Sequence, residues 1–143
     1  MVNVGDKKIT ARTAVARAIV SVPADVLAQV ESDDIQTKKG PVFQAATVGG
    51  IMAAKQTSSL IPLCHPIGLE NCDVDIRIQA DGAIEILCRA EARHKTGVEM
   101  EALTGATIAA LTVYDMCKSI SQGIVIREVK LLEKKGGKSD YKA

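Results

Sequence analysis

Two stretches of this chain carry no charge at all, residues 40–54 and residues 102–114. Each is long enough for a helix of several turns, and a helix with one face in water normally carries charged side chains on that face. Any fold must therefore cover both stretches on most sides. The first follows Lys39-Gly40-Pro41, a start signal because proline suits the first helical position. It predicts a helix over roughly Pro41–Gln56. Gly49-Gly50 weakens that helix by about 1 kcal/mol per glycine and lets another backbone come close. The second stretch follows Thr96-Gly97 and reads as a helix over about Val98–Ser121. Glu99 and Glu101 lie in its first turn, where the helix dipole favours negative charge. Lys118 lies in its last turn, and Gly123 ends it. Ala102, Ala106, Ala109, Val113, Met116 and Ile120 form one narrow apolar stripe, which should meet a sheet. Glu101, Thr104, Ile108, Thr112, Asp115 and Ser119 lie roughly opposite, and the lack of charge between 102 and 114 predicts burial of that face against another subunit.

Strand signals fill much of the remainder. Ala14–Val22 reads as a strand with Ala18, Val20 and Val22 on one face. Pro23 opens a helical turn over Ala24–Val30, and Glu31–Asp34 reads as a polar loop. Ser58–Gly68 holds Pro62 and Pro66 and reads as an ordered loop. Cys72–Gln79 alternates apolar and polar residues, Ala80-Asp81-Gly82 suits a hairpin turn, and Ile84–Arg93 is its partner strand. Ile124–Glu133 is a last strand with one slip in alternation near Arg127-Glu128. The order β-α-β-β-α-β predicts an α+β, ferredoxin-like fold: an antiparallel four-stranded sheet with two long helices on one face. One domain spanning 1–143 accounts for the length, with a flexible N-terminal arm at about 1–12 and a flexible basic tail at about 134–143.

Composition narrows the function. No apolar run approaches the ~18–20 residues that span a bilayer, and no secretory signal opens the chain, so a cytoplasmic protein with no membrane partner is expected. Eighteen Lys and Arg against seventeen Asp and Glu leave a net charge of +1, and the only aromatics are Phe43, Tyr114 and Tyr141. Neither a basic nucleic-acid surface nor a base-stacking platform is indicated, so no nucleic-acid partner is expected. Cys64, Cys72, Cys88 and Cys117 form no C-x-x-C pair, and no metal or redox cofactor is expected. The fold alone leaves an enzyme, a ligand-binding regulatory module and an RNA-binding domain of the same strand order open.

Several residues stand out chemically. His65 sits in Leu63-Cys64-His65-Pro66, a loop stiffened by proline at both ends. It is either an acid/base or phosphate ligand, or a hydrogen-bonded structural histidine. Cys64 is beside it, but a nucleophilic Cys–His pair needs spatial rather than sequential adjacency. Glu99 points near the small-residue stripe of the second helix. Asp115 and Lys118, three apart, can pair on one helix face. Lys39 precedes a helix N-terminus, where a lysine is either solvated or suited to an anion such as phosphate; the glycine spacing of a P-loop is missing.

At these residues the chain resembles the cyclic pyranopterin monophosphate synthase family, also called molybdenum cofactor biosynthesis protein C. The matching segments are Lys39-Gly40, Ala53-Ala54-Lys55, Leu60-Ile61-Pro62-Leu63-Cys64-His65-Pro66, the run Lys95–Thr104, and the run Ala110–Lys118. The match extends from about Thr10 to Lys138. The resemblance implies a ferredoxin-like fold and a homo-hexamer built as a trimer of dimers, with sites at dimer interfaces. It implies conversion of a small-molecule substrate, the cyclic dehydroguanosine triphosphate intermediate, to cyclic pyranopterin monophosphate with release of diphosphate and no cofactor. Leu63, Cys64, His65, Met100 and Glu101 fall on its substrate-binding elements, and Arg12 on an arginine that reaches the site. Asp115 falls on the catalytic aspartate, Lys39 and Lys118 on two essential lysines, and Glu99 on an acidic partner. The chain departs from the family in lacking a glycine common after Thr10-Ala11-Arg12, and in having Pro41 where an acid is also common. Lys134, Lys135 and Lys138 are further expected to help hold the triphosphate.

Overall fold

The computed structural model describes residues 1–143. In chain order the elements are β1 (Thr10–Ser21), α1 (Ala24–Leu27), β2 (Val30–Glu31), β3 (Asp34–Thr37), β4 (Gly40–Pro41), α2 (Val42–Lys55), α3 (Thr57–Leu60), β5 (Asn71–Ile78), β6 (Ile84–His94), α4 (Glu99–Cys117), β7 (Val125–Lys135) and β8 (Tyr141–Lys142). The main sheet is antiparallel, with strand order β5-β6-β1-β7-β8. Small apolar residues line one of its faces: Ala14, Ala16, Ala18 and Val20 from β1, with Ile84, Ile86, Cys88 and Ala90 from β6, are all fully buried. The α4 stripe of Ala102, Ala106, Ala109 and Val113 is buried with them, as its spacing predicted.

Alanine and glycine let these layers approach closely. A methyl group added at Gly50 would stand 2.9 Å from the Gly105 carbonyl oxygen, and one at Gly105 would stand 2.5 Å from Cys88 Sγ. Helix α2 thus lies backbone to backbone on α4, which explains why neither stretch carries charge. It also corrects part of the expectation for the second α4 face. Thr104 is buried and Thr112 packs beside Gly49, so α2 of the same chain covers much of that face; Leu111 and Asp115 stay exposed.

The sheet differs from the expected four strands. It has five, and β2, β3 and β4 form a separate three-stranded sheet. Each difference comes from strands too short to show a period. At the C-terminal end the chain turns at Gly136 and comes back, pairing Lys134 with Tyr141 and Glu133 with Lys142. Between β2 and β3, Ser32 and Asp33 both adopt left-handed backbone, the geometry of a two-residue hairpin. Without a glycine to mark it, that turn reads as a loop in the sequence. Other boundaries move as well. α1 ends at Leu27, and Val30, expected in that helical turn, begins β2. β1 starts at Thr10, which pairs with His94, so Arg12 belongs to a strand rather than to an arm. α3 is a single turn placed before Pro62, inside the segment read as loop. α4 stops at Cys117, whose carbonyl accepts the N–H groups of Ile120 and Ser121. The expected slip in β7 is real: the pairing with β1 skips Arg127, and it skips Leu132 as well. No helix is long and apolar enough to cross a membrane.

Candidate active site

The first charged cluster forms where the β3–β4 hairpin meets the end of α4. Thr37 pairs with Gly40, leaving Lys38 and Lys39 as the turn, and Gly40 takes φ +106°, a conformation side chains disfavour. Thr37 Oγ1 accepts the Lys39 N–H (3.1 Å) and donates to the Gly40 carbonyl (3.0 Å). The Lys39 ammonium then reaches Asp115 Oδ2 at 2.7 Å, while Lys118, one turn beyond Asp115, reaches Oδ1 at 2.8 Å. Hydrogen bonds from Lys118 and Lys39 bring the Asp115 carboxyl down to about 2, and Asp115 in turn pushes Lys118 up. All three side chains are about half exposed. Exposed ion pairs add little to stability. What the arrangement does is hold two protonated lysines side by side on one carboxylate, with a net positive charge facing outward.

The second cluster lies at the other end of α4. After α3, the proline-bounded loop brings Leu63, Cys64 and His65 against the helix start, where Glu99, Met100 and Glu101 complete the wall of a cavity of about 550 Å³. Met1, Val2 and Val4 cover one side of it, and Lys95 Nζ pins this N-terminal segment through the Gly5 carbonyl at 2.6 Å. Glu101 is 3% exposed. Burial pushes its carboxyl up, with help from the nearby charge of Glu99 and against a hydrogen bond from its own backbone N–H. Burial and then Glu101 also push the Cys64 thiol up, which argues against Cys64 as a thiolate nucleophile.

A second cleft, of about 410 Å³, opens from the first and shares Lys7, Thr96, Gly97 and Glu99 with it. Its walls carry Lys7, Lys8, Arg12, Lys95, Lys134 and Lys138, with Glu99 as the only acid and no apolar residue. Arg12 is held by the carbonyls of His94 and Lys95 (3.3 and 3.4 Å), and Lys134 pairs with Glu99 at 3.2 Å. Lys135 points elsewhere and pairs with Glu133, so of the three tail lysines two line the cleft. Such a concentration of cations around one acid suits a polyanion.

The fold therefore gathers Leu63, Cys64, His65, Glu99, Met100 and Glu101 at one cavity and puts Arg12 in the adjoining cleft. It gathers Lys39, Asp115 and Lys118 elsewhere. Fourteen helical steps from Glu101 to Asp115 place the two sets about 21 Å apart along α4. Sequence reasoning did not single out Lys7, Lys8 or Lys95. Their only signal is the register that sets Thr10 opposite His94 and so carries residues 7–8 and 95 to one place. No three His, Cys, Asp or Glu side chains come together in a way that could hold a metal ion.

Known proteins are similar to this chain in sequence. Molybdenum cofactor biosynthesis protein 1 of Dictyostelium discoideum is 48% identical across 97% of this chain, and the match spans 25% of that longer protein. The cyclic pyranopterin monophosphate synthase of Xanthomonas campestris pv. campestris (strain B100) is 47% identical over the whole chain and 87% of its own length. The protein of the same name from Xanthomonas axonopodis pv. citri (strain 306) is 46% identical with the same coverage. The family model described as "MoaC family" matches residues 1–137, and with relatives this similar over the full length, the chain belongs to the MoaC family.

Proposed function

We propose that the chain is a cyclic pyranopterin monophosphate synthase of molybdenum cofactor biosynthesis, and that it converts the cyclic dehydroguanosine triphosphate intermediate to cyclic pyranopterin monophosphate and diphosphate. The observation that carries this reading is the joined pair of recesses. A cavity with His65 and a buried carboxyl at Glu101 suits a guanine-derived ring. The adjoining cleft, with its six cationic side chains, suits a triphosphate of the same molecule. The reaction rearranges ring bonds, closes a cyclic phosphate and expels diphosphate, which calls for proton transfers and neutralised phosphoryl oxygens. Lys39 and Lys118 supply protons and positive charge, Asp115 orients both, and Leu63, Cys64, His65, Met100, Glu101 and Arg12 hold the substrate, with Glu99 partnering the cationic side chains.

The 21 Å separation sets a condition on this chemistry. Lys39, Asp115 and Lys118 serve the cavity only if a second chain provides them. Two α4 helices running antiparallel across a two-fold axis would place one chain's Asp115–Lys118 end beside the other's Glu101 end. The reading is a cytoplasmic homo-hexamer, a trimer of such dimers, with each site shared. The four long strands β1, β5, β6 and β7 with α2 and α4 form the ferredoxin-like unit, and β2–β4 and β8 are additions to it.

The test is incubation of the purified protein with the cyclic guanosine triphosphate intermediate, with chromatographic identification of the pterin product and a diphosphate assay. Equal amounts of both support the reading. Binding of the intermediate without turnover would point to a regulatory module of the same fold instead.

A further inference from the structure

Helix α2 starts without a cap of its own. Pro41 at its N-cap has no side-chain oxygen, and its first turn contains no acid. The first N–H groups of a helix need partners from somewhere. Here they come from a different strand. Asp34, at the start of β3, accepts the Phe43 N–H at Oδ1 (2.7 Å) and the Gln44 N–H at Oδ2 (3.2 Å), and its Oδ1 also accepts the Ile35 N–H (2.6 Å). Asp34 is 7% exposed and joins no salt bridge. Its carboxylate is met by backbone N–H groups, two from the start of α2 and one from Ile35.

We propose that Asp34 is a positioning residue for Lys39: by clamping the start of α2 to β3, it closes the loop that carries the Lys38-Lys39 turn and holds the Lys39 ammonium at Asp115. The inference rests on the reading above in which Lys39 serves turnover. The chain from Ile35 to Val42 is the whole of that loop. Its ladder has only two pairs, Gln36 with Pro41 and Thr37 with Gly40. A ladder that short does not hold itself in water. Nor does the exposed Lys39–Asp115 pair, which adds little binding of its own. The two bonds from Phe43 and Gln44 to Asp34, the first of them buried, are the strong tie. Asp34 also reaches the end of α4: the Cys117 thiol is pushed up to about 11 by burial and, second, by the charge of Asp34. The carboxylate thus joins β3 to α2, and its charge is felt at the residue before Lys118.

The readout is the Asp115 carboxyl itself, followed by carbon-13 NMR as pH is lowered. The cations facing it are Lys118 and Lys39, and together they hold it at about 2. Lys39→Ala gives the upward displacement that losing one of them causes. Asp34→Ala is expected to move the Asp115 titration at least half as far in the same direction, and to lower kcat about 10- to 100-fold through misplacement of Lys39. Asp34→Asn keeps an oxygen for the Phe43 and Ile35 N–H groups and is expected to restore the titration and to stay within about threefold of wild-type kcat. If Asp34→Ala does not fold, Asp34→Ser, whose shorter hydroxyl cannot span both Phe43 and Gln44, replaces it with the same expected direction. An Asp115 titration left at its wild-type position in a folded Asp34→Ala or Asp34→Ser protein overturns the proposal. A Lys39→Ala protein with wild-type turnover would instead overturn the role given to Lys39, and the titration would still decide whether Asp34 positions it.

Discussion

Glu101 and Asp115 lie on the same helix and end in the same carboxyl group, yet the structure drives them in opposite directions. Glu101 is buried in the wall of a cavity beside another acid, and its carboxyl is pushed up. Asp115 has about half of its side chain in water between two lysines, and its carboxyl is drawn down to about 2. Environment, not residue type, sets which way each carboxyl is moved. The two ends also differ in what they lack. The Glu101 end has a recess and a polyanion cleft but no pair of lysines held on an acid. The Asp115 end has that pair, and the recess beside it, lined by Thr37, Lys38, Ser119 and Ile120, takes in neither Asp115 nor its two lysines. Each holds what the other is missing.

The largest effects should come from breaking the Asp115 end. Lys39→Ala, Lys118→Ala and Asp115→Ala are each expected to cut turnover by about 10³-fold or more, the scale of losing a positioned acid or its orienting partner. Melting temperature should barely change, because these pairs are exposed. Lys118→Arg should fail too, since arginine keeps its charge and does not give up a proton near neutral pH. Product formation and thermal melts on the same preparations check this. A loss of only a few-fold in any one would reduce that residue to a supporting role.

Next comes the joining of the two ends. Glu101→Ala and Asp115→Ala chains, each inactive alone, are co-expressed with different tags and the mixed dimers purified. If sites are shared, a mixed dimer has one site with both lesions and one intact. Random pairing makes about half the dimers mixed, so about a quarter of all sites should work before purification. Mixed dimers as inactive as either parent would show that each site lies within one chain, and the 21 Å gap would then need another explanation.

The Asp115 end was nearly all legible in the sequence, and the basic cleft was not. Asp115 and Lys118 are one helical turn apart, so periodicity alone allows them to pair, and Lys39-Gly40-Pro41 marks the start of α2, but the short β3–β4 hairpin that carries Lys39 to Asp115 has no period to read. The long strands and both long helices were readable for the same reason: each repeats a period over many residues. The cleft is built otherwise. Lys7 and Lys8 come from a segment with no pattern, Lys95 from a loop, and Lys134 and Lys138 from either side of a glycine turn. What unites them is strand register, Thr10 against His94 and Thr13 against Lys135, which is a tertiary fact. Asp34 was hidden in the same way. It caps a helix that begins eight residues later, on the far side of the Lys38-Lys39 turn.

A smaller effect is expected at the cleft that serves the Glu101 end. Lys134→Ala together with Lys138→Ala should raise KM about tenfold, the size of losing one charge-assisted hydrogen bond, with kcat within about threefold. Lys135→Ala, whose ammonium pairs with Glu133 instead, should leave KM unchanged and serves as the control. Steady-state kinetics at two salt concentrations would show the difference, because the wild-type KM should rise more steeply with salt than that of the double variant. Equal salt dependence in the two proteins would remove the tail from the phosphate site.

The smallest effect returns to the two carboxyls and appears in stability alone. For Glu101 the folded state holds the proton more tightly than the unfolded chain does. Below the unfolded value both states are neutral and nothing is lost. As pH rises, the unfolded chain ionises first, so stability falls until the folded carboxyl has ionised as well. Glu101→Gln removes that dependence, and it should melt higher than wild type at pH 7.5, with the gap closing toward pH 4. Asp115 has the reverse sign. Its carboxyl is lowered in the folded state, so it contributes stability above the unfolded value and loses it as pH falls toward about 2. Asp115→Asn should therefore bring no gain at neutral pH. Melting curves of the two variants across this range separate the ends of one helix by sign alone: a Glu101→Gln protein no more stable than wild type at pH 7.5 would mean that the buried carboxyl finds a partner its surroundings do not show.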